Sequence, residues 1–384
     1  PDLARYRPAP DPATPAESLA EAVRLLRGAA RPVILAGRVS RAVDDWDRRI
    51  RLAEALGARV ITDLKLSAAF PQNHPLHGGP AAYRLSEADV RSVREADVIL
   101  SLDWLDLGGT LNQAFGDTVV SARVISATLD DQLTNGETFD HHVLPPVDLA
   151  IQATPDTVTA ALLPELSRGS RKNYDRVPLP VAAIPESGKF GLRALAGAVA
   201  RVSANRNVAL IRLPLGWPAQ FTKIEHPLDH LGYDGGAGVG SGPGIAVGAA
   251  LALAGSGRLP VAIIGDGDYV MGASALWTAA HYKIPLLVVI ANNRSYYNDE
   301  AHQETMARNR GRPIANRWIG QRLDDPPIDL SGLAQSMGLE ALPQIEDAAD
   351  LVSGLEAAFA RVASGASCVL DVRVTPGYET TVAG

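Results

Sequence analysis

A carboxylate and an amide follow two neighbouring apolar segments of this chain, and together they have the chemistry to hold a divalent cation. Asp266 lies in the triplet Gly265-Asp266-Gly267, and the pair Asn292-Asn293 follows after 24 intervening residues. Each motif comes directly after an apolar run, residues 259–264 and 284–291, which has the composition of a buried parallel strand. Mg²⁺ takes few protein ligands, mostly oxygens, and leaves its other positions to water and phosphate groups.

The elements around these motifs are predicted to bring the two side chains together. Residues 271–282 have helical composition, so the segment reads as strand, glycine turn, helix and strand. In such a βαβ unit the carboxyl ends of both strands meet at one edge of the sheet, where ligands of doubly wound sheets bind. Glycines beside Asp266 let backbone N–H groups approach phosphate oxygens. The sequence therefore predicts a site for a magnesium diphosphate.

These residues resemble the signature of thiamin diphosphate (ThDP) enzymes of the acetolactate synthase and benzaldehyde lyase type. The GDG triplet, its distance from the two asparagines and the helical segment between them match that family's motif. The resemblance implies that ThDP and Mg²⁺ are the cofactors. It also implies that the side chains of Asp266 and Asn293 bind Mg²⁺, with the backbone carbonyl of Ser295 as the third protein ligand.

A glycine-rich segment upstream supports the same resemblance. Residues 234–244 contain six glycines in 11 positions and lead directly into an apolar helical stretch. A flexible linker is the alternative, although such linkers seldom continue into an alanine-rich helix. In the ThDP family the equivalent loop carries an apolar side chain that bends the cofactor. The resemblance assigns this role to Val239, with the carbonyl of Ala237 and the N–H of Val239 bonding the aminopyrimidine and Gly238 between them.

The remaining residues assigned to the cofactor site lie beside these motifs: Gly265, Gly267, Asp268, Tyr269 and Tyr296. We expect the backbone N–H of Asp268 to contact phosphate. Its carboxylate should turn away or meet a cation, because a second negative charge beside a diphosphate is repulsive. Tyr269 is expected either over the diphosphate or in the core. Tyr296 is expected either along the substrate channel or as cover for the strand end.

The predicted fold class is α/β, with two doubly wound parallel-sheet domains. Residues 1–17 are interpreted as a connector, 18–164 as a central Rossmann-like domain, 165–187 as a linker, and 188–384 as the diphosphate- and magnesium-binding domain. The central domain is inferred from alternation of helical patterns with strand-like runs. These runs cover residues 32–37, 59–64, 97–103, 123–128 and 148–153.

The resemblance implies a further domain, which binds the aminopyrimidine and supplies the glutamate that activates the cofactor. We find no glutamate in that context, so we assign no catalytic residue to this chain. We expect this pyrimidine-binding domain to have been removed from upstream or to lie on a separate polypeptide; the connector-like residues 1–17 favour removal. The family pairs the diphosphate domain of one subunit with the pyrimidine domain of another, which implies a homodimer or tetramer.

Composition excludes several classes of protein. A net charge of −7 without long basic runs argues against nucleic acid as a partner. No apolar run reaches the length of a membrane span, and the N-terminus lacks the layout of a signal peptide. The single cysteine, Cys368, is expected in the core. We therefore expect a cytoplasmic protein. FAD binds the central domain of some family members and is possible here, but no G-x-G-x-x-G fingerprint supports it.

Three polar features are interpreted without a catalytic role. Residues 298–312 hold six charged residues in 15 positions and are expected to form a solvated helix or mobile loop, with an active-site lid as the alternative. His226 and His230 have the spacing of zinc ligands, but Pro227 interrupts the helix that such ligands need. His281 is expected in the core or partly covered.

The sequence therefore predicts a ThDP- and Mg²⁺-dependent lyase or carboligase that acts on a small molecule, a 2-oxo acid or 2-hydroxyketone. A non-catalytic ThDP-binding or regulatory subunit is the alternative. A dinucleotide-binding protein of the NAD type ranks last, because the acidic residue expected about 20 positions after a Rossmann glycine loop has no convincing counterpart.

Overall fold

The computed structural model describes residues 2–131, 144–167, 174–232 and 238–377. These residues form two compact units. Unit 1 comprises Pro1–Val177 with Glu225–Pro227, and unit 2 comprises Pro178–Ile224 with Leu228–Gly384. The boundary after Val177 lies inside the segment interpreted as a linker. No helix in the described ranges is long and apolar enough to cross a membrane.

Unit 1 is built on a parallel five-stranded sheet in the order β2-β1-β3-β4-β5. Its strands are β1 (Pro32–Ala36), β2 (Arg59–Thr62), β3 (Val98–Leu102), β4 (Arg123–Ala127) and β5 (Leu149–Ile151). Its helices are α1 (Ala16–Arg27), α2 (Val43–Leu56), α3 (Glu87–Glu95), α4 (Leu107–Phe115) and α5 (Pro155–Leu166). All residues of β1 and β3 are buried, as expected for central parallel strands that read as continuous apolar runs.

Unit 2 contains a second parallel sheet in the order β6-β7-β8-β10-β9. Its strands are β6 (Val208–Leu210), β7 (Leu259–Gly265), β8 (Leu286–Asn292), β9 (Glu340–Ala341) and β10 (Ser367–Arg373). Its helices are α6 (Leu192–Ser203), α7 (Gly242–Ala252), α8 (Asp266–Gly272), α9 (Leu276–Tyr282), α10 (Tyr297–Asn309), α11 (Leu330–Ser336) and α12 (Ala348–Ala363). The seven residues of β8, all buried, form the centre of the sheet.

The predicted α/β class with two parallel sheets is confirmed, and each strand run predicted in residues 18–164 overlaps a strand. The helix predicted over residues 271–282 differs in detail. It begins earlier, at Asp266, and a short 3₁₀ turn, Ala273–Ala275, follows Gly272 and separates α8 from α9. Glycine is a poor helix former, which is consistent with a break at this position.

Two further expectations are settled by the elements of unit 2. The polar segment 298–312 lies mostly in α10, so the helical alternative is confirmed. The alternative that His281 lies in the core was wrong, because the residue is exposed and only its ring face is covered by exposed Trp277, with ring centroids 4.7 Å apart. These residues are four apart on one turn of α9, which places them on the same outer face.

Candidate functional site

The two motifs meet at the carboxyl edge of the sheet in unit 2. β7 and β8 are parallel neighbours, and Gly265 is paired in register with Ala291. Asp266 follows β7 and begins α8, whereas Asn292 is the last residue of β8 and Asn293 follows it. The strand ends therefore bring the GDG triplet beside the asparagine pair, as the βαβ interpretation predicts.

The side-chain oxygens of Asp266 and Asn293 converge on one backbone group. The N–H of Ser295 donates to Oδ2 of Asp266 over 3.2 Å and to Oδ1 of Asn293 over 2.9 Å. Both oxygens therefore lie within hydrogen-bond distance of the same nitrogen. A carboxylate oxygen and an amide oxygen held this close together are ligand types that suit Mg²⁺.

The carboxylate of Asp266 is held in an environment that disfavours its charge. The residue is 3% exposed, and burial raises its pKa from 3.8 to about 6. The N–H groups of Gly267, Arg294 and Ser295 act in the opposite direction but do not cancel the effect of burial. A bound divalent cation would supply the missing positive charge, so the residues present fit a metal ion.

The turn that carries Asn293 and Ser295 is fixed by backbone bonds at Arg294, whose φ is +59°, and at Tyr296. The N–H of Leu323 donates to the carbonyl of Arg294 over 2.9 Å, and the N–H of Tyr296 donates to the carbonyl of Gln321 over 2.9 Å. The turn is thus paired with the segment 321–323, which lies after α10. This pairing keeps an unfavourable left-handed residue in place beside the predicted ligands.

Asn292 and Asp371 form a second layer beneath this turn that sequence reasoning missed. The amide Nδ2 of Asn292 donates to both carboxylate oxygens of Asp371, over 2.9 and 3.2 Å. Its Oδ1 then accepts the N–H of Arg294 over 3.2 Å. Gln344 also donates to Asp371. The sequence did contain a signal for Asp371, because this carboxylate lies inside the apolar run of β10. A buried acid needs hydrogen-bond partners, so its position predicts a polar contact with a neighbouring element.

Replacing Asp371 with asparagine is expected to weaken metal-dependent cofactor binding by roughly three- to tenfold, since a buried acceptor for two donors is lost. Burial raises the pKa of Asp371, which means that its surroundings do not favour the negative charge. We therefore expect the loss of affinity to arise from misplacement of Asn292 and the turn. Calorimetric titration at fixed Mg²⁺ measures it. Asp350→Asn, an exposed position on α12, is the matched control. Equal affinities for both variants and the unaltered chain would exclude this role.

Glu300 is another buried carboxylate that the composition of its segment did not reveal. It lies in the first turn of α10, is buried, and accepts a hydrogen bond from the hydroxyl of Ser295. Arg322 lies 3.5 Å from the same Glu300 oxygen. The side chain of Ser295 is thereby directed towards α10, while its backbone remains at the predicted metal site.

The backbone at Gly267 approaches an aromatic ring closely. A Cβ atom at this position would lie 2.1 Å from Cε1 of Tyr296, so only glycine fits under the ring as it stands. The pKa of Tyr296 is raised by desolvation and by the charges of Asp266 and Asp268. The ring of Tyr296 therefore packs against Gly267 of the triplet. Gly265, by contrast, has open space where a Cβ would point.

Asp268 and Tyr269 occupy different surroundings although they are adjacent. The carboxylate of Asp268 was expected either to turn away from the diphosphate or to meet a cation. It meets a cation, because its Oδ2 lies 2.7 Å from Nε of Arg212. Tyr269 is 0% exposed and packs in the core, with its hydroxyl donating to the carbonyl of Leu330 over 3.2 Å. The side chain of Tyr269 is therefore part of the core and not of the cofactor site.

The upstream loop is described in part. Val239 is 50% exposed and precedes α7, with Gly240 in the left-handed region at a φ of +94°. The carbonyl of Gly238 accepts bonds from Arg212 and Ser241. Ala237 lies outside the described residues. An exposed apolar side chain in a loop that contacts Asp268 is compatible with contact to a ligand, and its role as a wedge stays a prediction.

Comparison with known proteins assigns the two units to one family. Residues 19–158 match the model of the thiamine pyrophosphate enzyme central domain, and residues 214–372 match that of the thiamine pyrophosphate enzyme C-terminal TPP binding domain. The chain belongs to the thiamine pyrophosphate enzymes. The second matched range contains the GDG triplet, the asparagine pair and Val239, so the residues that carry the resemblance lie in the TPP-binding domain of this family.

Curated thiamine pyrophosphate enzymes match at low identity. Sulfoacetaldehyde acetyltransferase from Alcaligenes xylosoxydans xylosoxydans is 25% identical over 93% of this chain and 63% of its own length. Acetolactate synthase isozyme 1 large subunit from Escherichia coli K12 is 27% identical over 74% of this chain and 50% of its own length. The chain thus spans half to two-thirds of the length of these relatives.

Solved structures share the fold. A putative ThDP-dependent enzyme from Mycobacterium smegmatis has a TM-score of 0.74 at 22% identity, covering 96% of this chain and 66% of that one. A ThDP-dependent 4-hydroxybenzoylformate decarboxylase from Rhodococcus jostii RHA1 has the same TM-score and identity, covering 98% and 68%. At this identity the likeness establishes the fold of the thiamine pyrophosphate enzymes and leaves the reaction open.

Proposed function

We propose that unit 2 binds the diphosphate of ThDP through one Mg²⁺ ion and that this chain forms part of an acetolactate synthase-like lyase or carboligase. Asp266 and Asn293 give side-chain oxygens to the ion, and Ser295 gives its backbone carbonyl. The substrate class is a 2-oxo acid or a 2-hydroxyketone. The observation that carries the proposal is the convergence of the Asp266 and Asn293 oxygens on a single N–H group, in a chain of this family.

The chemistry of the donors supports magnesium over a transition metal. The proposed ligands are all oxygens, and the described ranges contain no group of three or more His, Cys, Asp or Glu residues that could hold an ion. Zinc prefers nitrogen and sulfur ligands in a closed tetrahedral set, whereas Mg²⁺ accepts one or two protein carboxylates together with substrate phosphates. A site completed by a diphosphate therefore fits Mg²⁺ best.

When bound, ThDP supplies a nucleophilic carbon and an electron sink for cleavage of a bond next to a carbonyl group. The residues of this chain bind and orient. Asp266 and Asn293 hold the ion, Gly267 permits close approach of the backbone, and Val239 offers apolar surface to the ring end of the cofactor. Binding energy at the diphosphate end thus positions the distant reacting end.

The reaction class is proposed from the relatives. The curated relatives include acetyltransferases and acetolactate synthases, whose names describe transfer or joining of acyl groups. We therefore propose a reaction that cleaves or forms a carbon–carbon bond next to a carbonyl group and leave synthase, decarboxylase and lyase activities as outcomes of substrate screening with 2-oxo acids.

The switch point of the sheet in unit 1 gives no support for FAD. Ligands of such sheets bind in a crevice between the loops that follow the two strands at this point, here β1 and β3. The N–H of Arg38 instead donates to the carbonyl of Asp103 over 3.0 Å, and their side chains are 2.7 Å apart. A Cβ at Gly37 would lie 2.1 Å from the same carbonyl oxygen. The two loops are therefore in contact at this point, and FAD is not part of the proposal.

Native mass spectrometry of the chain with ThDP and Mg²⁺ tests the proposed cofactor site. We expect one ThDP per chain with Mg²⁺ present and none after chelation, because the ion joins the diphosphate to the protein. Thiamin, which lacks the diphosphate, is the matched control ligand and should not bind. ThDP binding that survives chelation would contradict the metal site, and Mg²⁺-independent binding of NAD would contradict the cofactor class.

The same spectra, together with activity assays of the assemblies that they identify, test the proposed assembly. We propose a homodimer or tetramer in which a pyrimidine-binding domain, from the same or another polypeptide, completes the site. Turnover of a 2-oxo acid only in assemblies that contain such a domain would support this arrangement. ThDP binding without turnover in those assemblies would favour a non-catalytic subunit.

A further inference from the structure

A buried ion pair joins the end of the first strand of unit 2 to the residue after the GDG triplet. Arg212 lies two residues beyond β6 and is 4% exposed, and its Nε is 2.7 Å from Oδ2 of Asp268. The side chain of Asp268 is 11% exposed. Such a pair is costly to bury unless its remaining donors and acceptors are also satisfied.

The remaining atoms of the pair bind residues 238–242, termed here the Val239 loop. Nη2 of Arg212 donates to the carbonyl of Gly238 over 3.0 Å, and Nη1 donates to Oγ of Ser241 over 2.9 Å. Oδ1 of Asp268 accepts the N–H groups of Gly240 and Gly242 over 2.7 and 3.1 Å. Two side chains thus bond four of the five loop residues, and Val239 is the one between these anchors.

Glycines allow the loop to approach α8 this closely. A Cβ at Gly242 would lie 2.4 Å from Oδ2 of Asp268, and a Cβ at Gly272 would lie 2.2 Å from the carbonyl oxygen of Gly240. The loop therefore contacts α8 through backbone atoms on both sides of Val239. Its position relative to the GDG triplet is set by contacts too close to permit larger residues.

A glycine-rich loop needs such anchors for energetic reasons. Ordering one residue costs about 1–2 kcal/mol of backbone entropy, and glycine loses more freedom than any other residue. The Val239 loop has two glycines beside Val239 and cannot recover this cost by burying Val239, which is half exposed. Charge-assisted hydrogen bonds from Arg212 and Asp268 are among the stronger bonds available to offset it.

We propose that Arg212 and Asp268 are positioning residues that fix the Val239 loop against α8. Their opposite charges also neutralise each other beside the proposed diphosphate site. This inference rests on the proposed function, because the loop has a ligand to meet only if ThDP binds here. Asp268 would otherwise place an unpaired carboxylate next to a diphosphate, which is repulsive. The pair removes that repulsion and uses both charges to order the loop.

Affinity for ThDP at saturating Mg²⁺ is the first test, measured on the full chain. Arg212→Gln is expected to weaken binding by about tenfold or more, because Asp268 is left buried without its cation. Adding Asp268→Asn to this variant should restore part of the affinity by removing the unpaired charge. A double variant that binds ThDP as weakly as, or more weakly than, Arg212→Gln alone would show that the unpaired charge of Asp268 does not cause the loss.

Hydrogen exchange of the Val239 loop in the ligand-free protein is the second test. Arg212→Gln should raise the exchange rates of the Gly240 and Gly242 amides by about tenfold or more, because a looser loop opens more often. Arg258→Gln is the matched control. It breaks another largely buried ion pair of unit 2, to Asp229 over 2.7 Å, next to the opposite end of β7. This control should change neither the exchange nor the affinity.

The two measurements separate failure of this inference from failure of the proposed function. If the unaltered chain binds ThDP and Arg212→Gln matches it in affinity and exchange, the positioning role is overturned while the function stands. If the unaltered chain does not bind ThDP, the proposed function fails and the cofactor part of the inference fails with it. Should Arg212→Gln not fold, Arg212→Lys and Asp268→Asn are used instead, with smaller losses expected in the same direction.

Discussion

Replacing Asp266 with asparagine is expected to abolish Mg²⁺-dependent binding of ThDP and to stabilise the metal-free protein at neutral pH. The loss of affinity should exceed about 100-fold, because the amide brings no negative charge to the ion that holds the diphosphate. The gain in stability follows from burial, which raises the pKa of Asp266 from 3.8 to about 6 in the folded chain. The two effects have opposite signs, which distinguishes a binding residue from a structural one.

The pH dependence of this gain has a defined direction. Below pH 3.8 the carboxyl is protonated in both the folded and unfolded states, so the substitution should matter little. Between pH 3.8 and about 6, Asp266 is ionised in the unfolded chain but still largely protonated in the folded chain. The folded protein therefore loses stability as the pH rises through this range. Above this range the unaltered protein carries the full penalty, up to about 3 kcal/mol, and Asp266→Asn should remove most of it.

Thermal unfolding of the metal-free variants at pH 5 and pH 8, together with titration of ThDP at fixed Mg²⁺, checks both effects. Asp350→Asn on α12 changes an exposed carboxylate in the same way and should leave both unaltered. A metal-free Asp266→Asn protein that is less stable at pH 8 would show that Asp266 is needed for folding. Unchanged ThDP affinity would remove Asp266 from the metal site.

Replacing Gly267 with alanine is expected to disturb the site far more than the same change at Gly265. The added Cβ would lie 2.1 Å from Cε1, 2.6 Å from Cδ1 and 2.8 Å from Cζ of Tyr296, so the ring or the start of α8 must move. Overpacking of this kind costs roughly 1–3 kcal/mol. Because α8 begins with Asp266, the displacement should also weaken ThDP binding by about tenfold or more.

Gly265→Ala is the matched control, since its Cβ would meet nothing within 4 Å and its φ of −71° suits alanine. Its effect on the stability of the metal-free protein should stay within about 0.5 kcal/mol. Removal of the ring in Gly267→Ala/Tyr296→Ala should recover the stability lost by Gly267→Ala. If the double variant is no more stable, contact with Tyr296 is not the source of the loss. Unfolding transitions of the four proteins decide between these results.

The parts of the structure that depend on short stretches of sequence were predictable. The strand order at the site follows from two apolar runs and the short helix between them, because a βαβ unit places both strand ends at one edge. The sheet in unit 1 was likewise marked by apolar runs alternating with helical patterns. In each case the signal is burial of a continuous segment, which composition reports directly.

The parts that depend on contacts between distant segments were not predictable. Arg212 and Asp268 are 56 positions apart, and neither position alone indicates the other. The same holds for Asn292 and Asp371, which are joined only because β8 and β10 are neighbours. Tyr269 had a local signal: it recurs with Ala273 and Leu276 at helical spacing, all three buried, and this periodicity points to the core.

The N–H of Ser295, shared by Asp266 and Asn293, bears on how the site is loaded. If Asp266 and Asn293 bind an ion as proposed, their oxygens are already held close together by this N–H group and would need little rearrangement. Preorganisation of this kind lowers the cost of association. At such a site we expect the ion to bind without coupled folding of the surrounding chain. The ion should be removable by a chelator and replaceable without refolding, so that cofactor content follows the supply of magnesium and ThDP.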